Sequence, residues 1–196
     1  MKYLEWMRMR VKINPMKMQT IQRVNKMQTI DVDFEPYLLR VTFSENGIYS
    51  CKIVKSIEYS ILNKLTTSEK NVLDGLYSWI ESYQSGTFDC ELPILDFSDT
   101  PNFRENVYSK LIQVKAGQRV TYGQLANQVG SPKAARAIGT AMAKNRHVPI
   151  IPCHRVIRSD GSLGNYSGYG GVTTKAHLLD HEMLHASTEV SEVAST

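Results

Sequence analysis

The stretch "TYGQLANQVGSPKAARAIGTAMAKN", residues 121–145, leaves the chain few conformational choices. Thr121 with Gln124 three residues on forms a capping box, in which each side chain satisfies the other's free backbone N–H, so a helix starts there. Gly130 ends it in the left-handed region that a side chain disfavours. Ser131 then caps a second helix, with Pro132 at its first position, where the missing N–H costs nothing. Two short helices around a glycine turn make a helix-turn-helix. In the second, Ala134, Ala135, Ala137, Gly139, Thr140, Ala141 and Ala143 are small and Arg136 stands alone as a long cation. Small residues admit a packed helix or a nucleic-acid groove, and composition alone favours the packed helix.

The chain upstream reads differently. "YLLRVTFSENGIYSCKIVKS", 37–56, holds two β-rich runs around Asn46-Gly47, a strong hairpin signal. Residues 67–86 repeat apolar side chains at helical spacing (Val72, Leu73, Leu76, Ile80, Tyr83), with Thr67 or Ser68 as cap and Gly86 as stop. "FDCELPILDF" reads as extended, "SDTPN", 98–102, as a turn-rich joint, and "NFRENVYSKLIQVK" as an amphipathic helix with apolar residues at 103, 107, 111 and 112. The chain divides into a leader at 1–28, a small α/β unit at 29–98, a mostly helical unit at 99–185 and a flexible small-polar tail at 186–196. "KMQTIQ" and "KMQTID", at 17–22 and 26–31, form a near-repeat too short for a solenoid unit.

Charge follows the same division. Asn102 to His185 hold 11 Lys or Arg against 4 Asp or Glu, whereas residues 1–101 hold 12 against 13. A basic half suits a phosphate backbone, and equally a solvated basic face. The three cysteines are widely spaced, which argues against a disulfide framework or a zinc knuckle and for a reducing compartment. No apolar run approaches the ~18 residues of a membrane span, and the N-terminus lacks the continuous apolar core of a secretory signal.

"PCHRV", 152–156, sets Cys153 beside His154. Taken alone, the pair reads as a packed core thiol, because adjacent side chains diverge and cysteine buries readily. A reactive thiol, with an ordinary pKa near ~8.5, needs a base or a cation, and Arg155 and Arg158 add positive charge nearby. Glu182, at the end of the amphipathic run "TTKAHLLDHE", offers a carboxylate able to orient a histidine.

The order of these parts is specific. A helix-turn-helix is followed by Asn145, an apolar run into "PCHRV", then "GNYSG", then a helix ending in "HE". This resembles the O6-alkylguanine-DNA alkyltransferase family, densely over 102–182 and in outline over 29–98. The resemblance implies an α+β protein: a small N-terminal α/β domain with an antiparallel, ribonuclease H-like sheet, and a mostly helical, winged-helix-like domain. It implies direct-reversal repair. The base is flipped out through the minor groove, and one alkyl group passes irreversibly to Cys153, once per molecule. The catalytic set implied is Cys153, His154, Glu182, Tyr122 and Asn145, with His154 acting through a water and oriented by Glu182. Tyr122 would donate toward guanine N3, and Asn145 would form the turn joining the recognition motif to the reactive loop. Arg136 would enter the base stack as a finger, with Ala135, Ala137, Gly139, Tyr122 and Ser131 against DNA. Val156, Tyr166, Ser167 and Gly168 would form the base pocket, with the carbonyls of Cys153 and Val156 accepting from the guanine amino group. The implied partner is duplex DNA carrying O6-alkylguanine, with O4-alkylthymine a further candidate. The implied protein is monomeric, uses no cofactor or metal, touches no membrane, and is cytoplasmic, or nuclear in a eukaryote.

The chain departs from the family pattern at Arg146, where relatives have proline after the asparagine; a cation there could serve DNA contact. The "YGGVTTK" stretch is slightly longer than in compact members. Three other readings remain: an alkyltransferase-like protein that binds and signals without reacting, which lacks the cysteine; a regulator using only the helix-turn-helix; and a cysteine hydrolase pairing Cys153 with His147 or His177.

Overall fold

The computed structural model describes residues 27–56, 58 and 65–193. Most of the expected leader, with the first copy of the near-repeat, lies outside the described residues. The second copy runs into a strand. Strands β1 (Gln28–Phe34), β2 (Tyr37–Ser44) and β3 (Gly47–Val54) form an antiparallel meander in the order β1-β2-β3. The hairpin read at Asn46-Gly47 is β2–β3. Period-two alternation buries Ile30, Val32, Phe34, Leu39, Val41, Phe43, Cys51 and Ile53 on one face. On the other face Asp31 is buried opposite Arg40, which binds it through two hydrogen bonds at 2.9 and 3.1 Å. Gly47 has φ +133°, and a Cβ there would meet the Ile94 carbonyl at 2.6 Å. That close approach lets the chain at 94–96 lie along β3, with Ile48 N–H donating to Ile94 O and Asp96 N–H to Ile48 O. The run read as extended is therefore held by one bridge, Ile48 to Leu95.

Helix α1 (Thr67–Ser85) covers the sheet with Val72, Leu73, Leu76, Ile80 and Tyr83. Its cap is Thr66, not Thr67 or Ser68. Thr66 Oγ1 accepts from Glu69 N–H and the Glu69 carboxylate accepts from Thr66 N–H, and only Thr66 lies three residues before that glutamate. Gly86, at φ +80°, ends the helix as read.

Helix α2 (Asn102–Ile112) buries Val107, Tyr108 and Leu111, while Phe103 is exposed rather than packed. The two-residue strand β4 (Val120–Thr121) leads into α3 (Tyr122–Gln128), capped by the Thr121–Gln124 box. Helix α4 (Ala135–Ala143) starts later than read. Ser131 and Pro132 belong to a turn in which Ala134 N–H donates to Ser131 O at 2.8 Å, and Ala134 is the cap residue without a side-chain bond. A proline suits position two of a turn as well as a helix start. After a 3₁₀ turn (Cys153–Arg155), β5 (Val156–Ile157) pairs parallel with β4, Val120 opposite Val156. Helix α5 runs from Gly171 to Val193, so it does not end at "HE"; it continues through the first part of the stretch read as a tail. Residues 194–196 lie outside the described residues.

The architecture is α+β, as the sequence implied, and buried side chains from both halves join in one core. Among the described residues no helix is long and apolar enough to cross a membrane. The Thr66 box carries the fold's most local test. Thr66→Ala should cost about 1 kcal/mol of stability in a chemical-denaturation curve, without changing the slope.

Candidate functional site

The segment after α4 is folded by its own apolar run. Val148, Ile150 and Ile151 are buried, and β3 grips the chain on both sides of His147: Cys51 N–H donates to Arg146 O at 2.7 Å and Val148 N–H to Cys51 O at 2.9 Å. Asn145 closes the loop. Its Nδ2 donates to Ile151 O at 2.8 Å and its Oδ1 accepts from His147 N–H at 2.9 Å. The chain then tightens into the 3₁₀ turn, with Cys153 N–H on Ile151 O and Arg155 N–H on Pro152 O. In such a turn neighbouring side chains diverge. Cys153 lines an open cavity, while His154 and Arg155 point into the interior.

That interior is organised around Glu182, which is 0% exposed, as is His154. His154 Nε2 lies 2.7 Å from Glu182 Oε1. Arg155 grips the same carboxylate with Nη2 at 2.8 Å from Oε1 and Nε at 2.9 Å from Oε2, and donates Nη1 to Val114 O. Tyr83 Oη donates to Oε1 at 3.1 Å and Gly117 N–H to Oε2 at 3.3 Å. Burial raises the Glu182 carboxyl, but the hydrogen bonds from His154 and Arg155 and the charge of Arg155 more than offset it and hold it down at about 2. Burial lowers the pKa of His154 despite the attraction of Glu182, so the ring is neutral. Its proton sits on Nε2, facing the carboxylate, which leaves Nδ1 as the acceptor. Nδ1 is buried and has no protein hydrogen-bond partner among the described residues.

Cys153 is 4% exposed. Burial raises its pKa; the Asn145 side chain and the Lys175 ammonium partly offset this. The cation acting on the thiol is thus Lys175, whereas Arg155 is committed to Glu182. Lys175 is itself buried, with Nζ donating to Val156 O at 2.6 Å and Leu163 O at 2.5 Å, and burial lowers its pKa to about 8. The Val156 carbonyl, read as a base acceptor, therefore already serves Lys175, with a second lone pair remaining.

The cavity beside Cys153 has a volume of about 650 Å³. Tyr122, Ala135, Arg136, Gly139, Asn165, Tyr166 and Ser167 line it with Cys153, as do Met142 and Arg158. Helix α4 buries Ile138, Ala141 and Met142, and its small-residue face is open. The small residues divide between the two readings: Ala135, Gly139 and Ala143 border the cavity, while Ala141 is buried, its carbonyl accepting from Tyr108 of α2. Ser131, Ala137, Val156 and Gly168 do not line the cavity. Gly168 underlies Tyr166, and a Cβ there would meet the ring at 2.5 Å. Tyr122 and Tyr166 are both raised in pKa by burial, so each hydroxyl keeps its proton.

Other sequence readings land elsewhere. Arg146 donates Nη2 to Asp96 O at 2.8 Å and lies over the Tyr49 ring at 4.2 Å, so it faces the N-terminal half and not the cavity. His147 contacts Ile48 O, and His177 contacts Tyr37 Oη. Lys175 was not singled out, although a signal existed: Lys175, Leu178, Leu179 and Glu182 stand at helical spacing along one face, all of them buried. Tyr83 and Gly117 carry no local signal of their role.

A family model described as the DNA-binding domain of 6-O-methylguanine DNA methyltransferase matches residues 102–184. A rat methylated-DNA–protein-cysteine methyltransferase is 49% identical over 121 residues, covering 59% of this chain and 57% of that protein. The chain thus spans a little over half the length of the rodent relatives it matches. A Mycobacterium bovis protein of the same name is 34% identical over 128 residues, covering 64% of this chain and 74% of that one. Among solved structures, Mycobacterium tuberculosis OGT in complex with DNA superposes with a TM-score of 0.61 at 28% identity, over 81% of this chain and 93% of that one.

The buried pair has a pH signature. His154 and Glu182 are both held below their ordinary values of 6.5 and 4.5, so the unfolded chain binds protons more readily than the folded one. Their contribution is complete above those values and is lost as pH falls, through His154 first and through Glu182 down to about 2. Glu182→Gln should lower stability at neutral pH by about 3 kcal/mol, because Arg155 is left buried without its anion. It should also flatten the decline below pH 4.5 in urea unfolding measured across pH.

Proposed function

The chain belongs to the methylated-DNA–protein-cysteine methyltransferase family, and we propose that it repairs O6-alkylguanine in duplex DNA by moving the alkyl group to Cys153. The observation that carries this reading is the cavity that Cys153 shares with Tyr122, Arg136 and the open, small-residue face of α4. A nucleophile beneath a helix of small residues with a single arginine suits a base delivered from DNA.

The thiol is buried and held protonated, so it must be activated at the moment of reaction. The neutral His154, with Nδ1 unpartnered and Nε2–H on Glu182, supports base action through a bridging water. The Cys153 proton passes to His154, and Sγ attacks the alkyl carbon in line. The S–C bond forms as the C–O6 bond breaks, and the bonding pair stays on O6. The guanine then takes up one proton, replacing the one the thiol gave up, with Tyr122 donating a hydrogen bond to its edge at N3. The thioether product has no good leaving group, so each molecule acts once.

Arg136 fills the stack that the base vacates, offsetting part of the cost of extrusion. Ala135, Ala137, Gly139 and Ser131 allow α4 and its leading turn to approach the minor groove. Tyr166, Ser167, Gly168 and Val156 frame the base, and Asn145 keeps the reactive turn in register. Residues 29–98 and 99–185 act as two units, the first supporting the second. The protein works as a monomer in the cytoplasm, or in the nucleus of a eukaryote. The hydrolase reading is disfavoured, because His147 and His177 are engaged away from Cys153.

Incubation with duplex DNA containing O6-methylguanine should raise the intact mass by one methyl group, on Cys153 in the peptide map and absent in Cys153→Ala. Repeated turnover, or an unmodified folded protein, would exclude the reading. Arg136→Ala should slow transfer from duplex DNA by about 10- to 100-fold, the equivalent of a few kcal/mol of lost base extrusion. The same variant should react normally with free O6-benzylguanine, which needs no flipping.

A further inference from the structure

Helix α1 belongs to the N-terminal half and touches no part of the cavity beside Cys153. It nevertheless reaches the reactive centre through one side chain. We propose that Tyr83 is a positioning residue for alkyl transfer, its hydroxyl setting how the Glu182 carboxylate faces His154. The proposal rests on the reading of Cys153 and His154 as nucleophile and base.

The geometry separates this role from packing. Arg155 spans both oxygens of Glu182 and so defines the plane of the carboxylate. His154 and Tyr83 then meet on one oxygen, Oε1, at 2.7 and 3.1 Å. Arg155 Nη2 also donates to Oε1, at 2.8 Å, so how much of that oxygen's charge reaches the imidazole depends on these other donors, of which Tyr83 is the neutral one. The Tyr83 ring cannot move aside. It stacks on Trp79 and on His181, each with centroids 5.2 Å apart, and meets Phe34 and Phe88 at 5.5 Å. The neighbouring residue on α5 returns the contact, with His181 Nε2 donating to the Tyr83 carbonyl at 2.8 Å. Two hydrogen bonds in opposite directions therefore tie residues 181 and 182 to one tyrosine.

The chemistry gives that tie a use. His154 becomes cationic on taking the thiol proton, in a pocket where Arg155 and Lys175 already oppose a positive ring. Only Glu182 favours it there, so the carboxylate must not rotate as the charge develops. A hydroxyl on a rigid ring holds it without reorganisation.

Tyr83→Phe in the full chain removes one oxygen and keeps the ring. At saturating duplex DNA, the rate of transfer to Cys153 should fall about ten- to a hundredfold, the worth of one hydrogen bond to a charged group. The dissociation constant for DNA should not change, and the His154 Nε2–H proton resonance should shift. Tyr108→Phe is the control, since Tyr108 Oη is also buried but donates to Ala141 O at 2.8 Å, away from Glu182. It should affect stability and leave the resonance in place. If Tyr83→Phe fails to fold, site-specific 3-fluorotyrosine at 83 strengthens the donor and should shift the resonance the opposite way. Wild-type rate and resonance in Tyr83→Phe, or equal effects in Tyr108→Phe, would overturn the proposal. If the wild-type protein forms no adduct on Cys153, the functional reading fails instead, while the resonance still reports on the Tyr83 bond.

Discussion

A carboxylate at 0% exposure is unfavourable unless donors surround it, and Glu182 obtains its donors from three separate places. Tyr83 comes from α1, Gly117 from the loop after α2, and His154 and Arg155 from the turn that begins at Cys153. Glu182 itself comes from α5. None of these segments can shift without leaving a buried charge short of partners. The ion cluster therefore selects one arrangement of the core around the thiol. It also selects one tautomer of His154, because the carboxylate demands the proton on Nε2.

The same burial protects the thiol that the proposed function requires to react. Cys153 is disfavoured as a thiolate by its surroundings, which keeps it from indiscriminate oxidation. Lys175 opposes that penalty from beneath, although two carbonyls hold its ammonium in place. Because these carbonyls belong to Val156 and Leu163, the lysine also ties the end of the reactive turn to the loop leading to Tyr166. The charge that favours the thiolate and the fastening of the cavity wall are one interaction.

What could be read from the chain alone was whatever is encoded within a few residues. The Thr121–Gln124 box, the Asn46-Gly47 hairpin and the Gly86 stop each depend on a local spacing, and each stands where it was read. The misreadings were also local. Three hydroxyl residues in a row, Thr66 to Ser68, all qualify as caps until the reciprocal glutamate is considered, and Ser131-Pro132 serves a turn as readily as a helix start. The contacts of Glu182 are another matter. Arg155 and Tyr83 lie 27 and 99 residues from it, and no periodicity in either segment refers to the other. Family resemblance supplied the Cys153, His154 and Glu182 set; it did not supply Arg155, Lys175 or Tyr83.

Arg146 brings these strands together. A proline at this position would stiffen the turn after Asn145 covalently. Here the stiffness comes from outside the turn: the guanidinium lies over Tyr49 and donates to the Asp96 carbonyl, and the Arg146 carbonyl accepts from Cys51 in β3. Such contacts hold only while the sheet is folded beside them. The order of the loop carrying Cys153 is thus conditional on the N-terminal half in a way that a proline turn would not be. Tyr83 makes the orientation of Glu182 conditional on that half as well. Two contacts, one at each end of the segment carrying Cys153, connect the small sheet and α1 to the proposed chemistry, although neither lines the cavity beside Cys153.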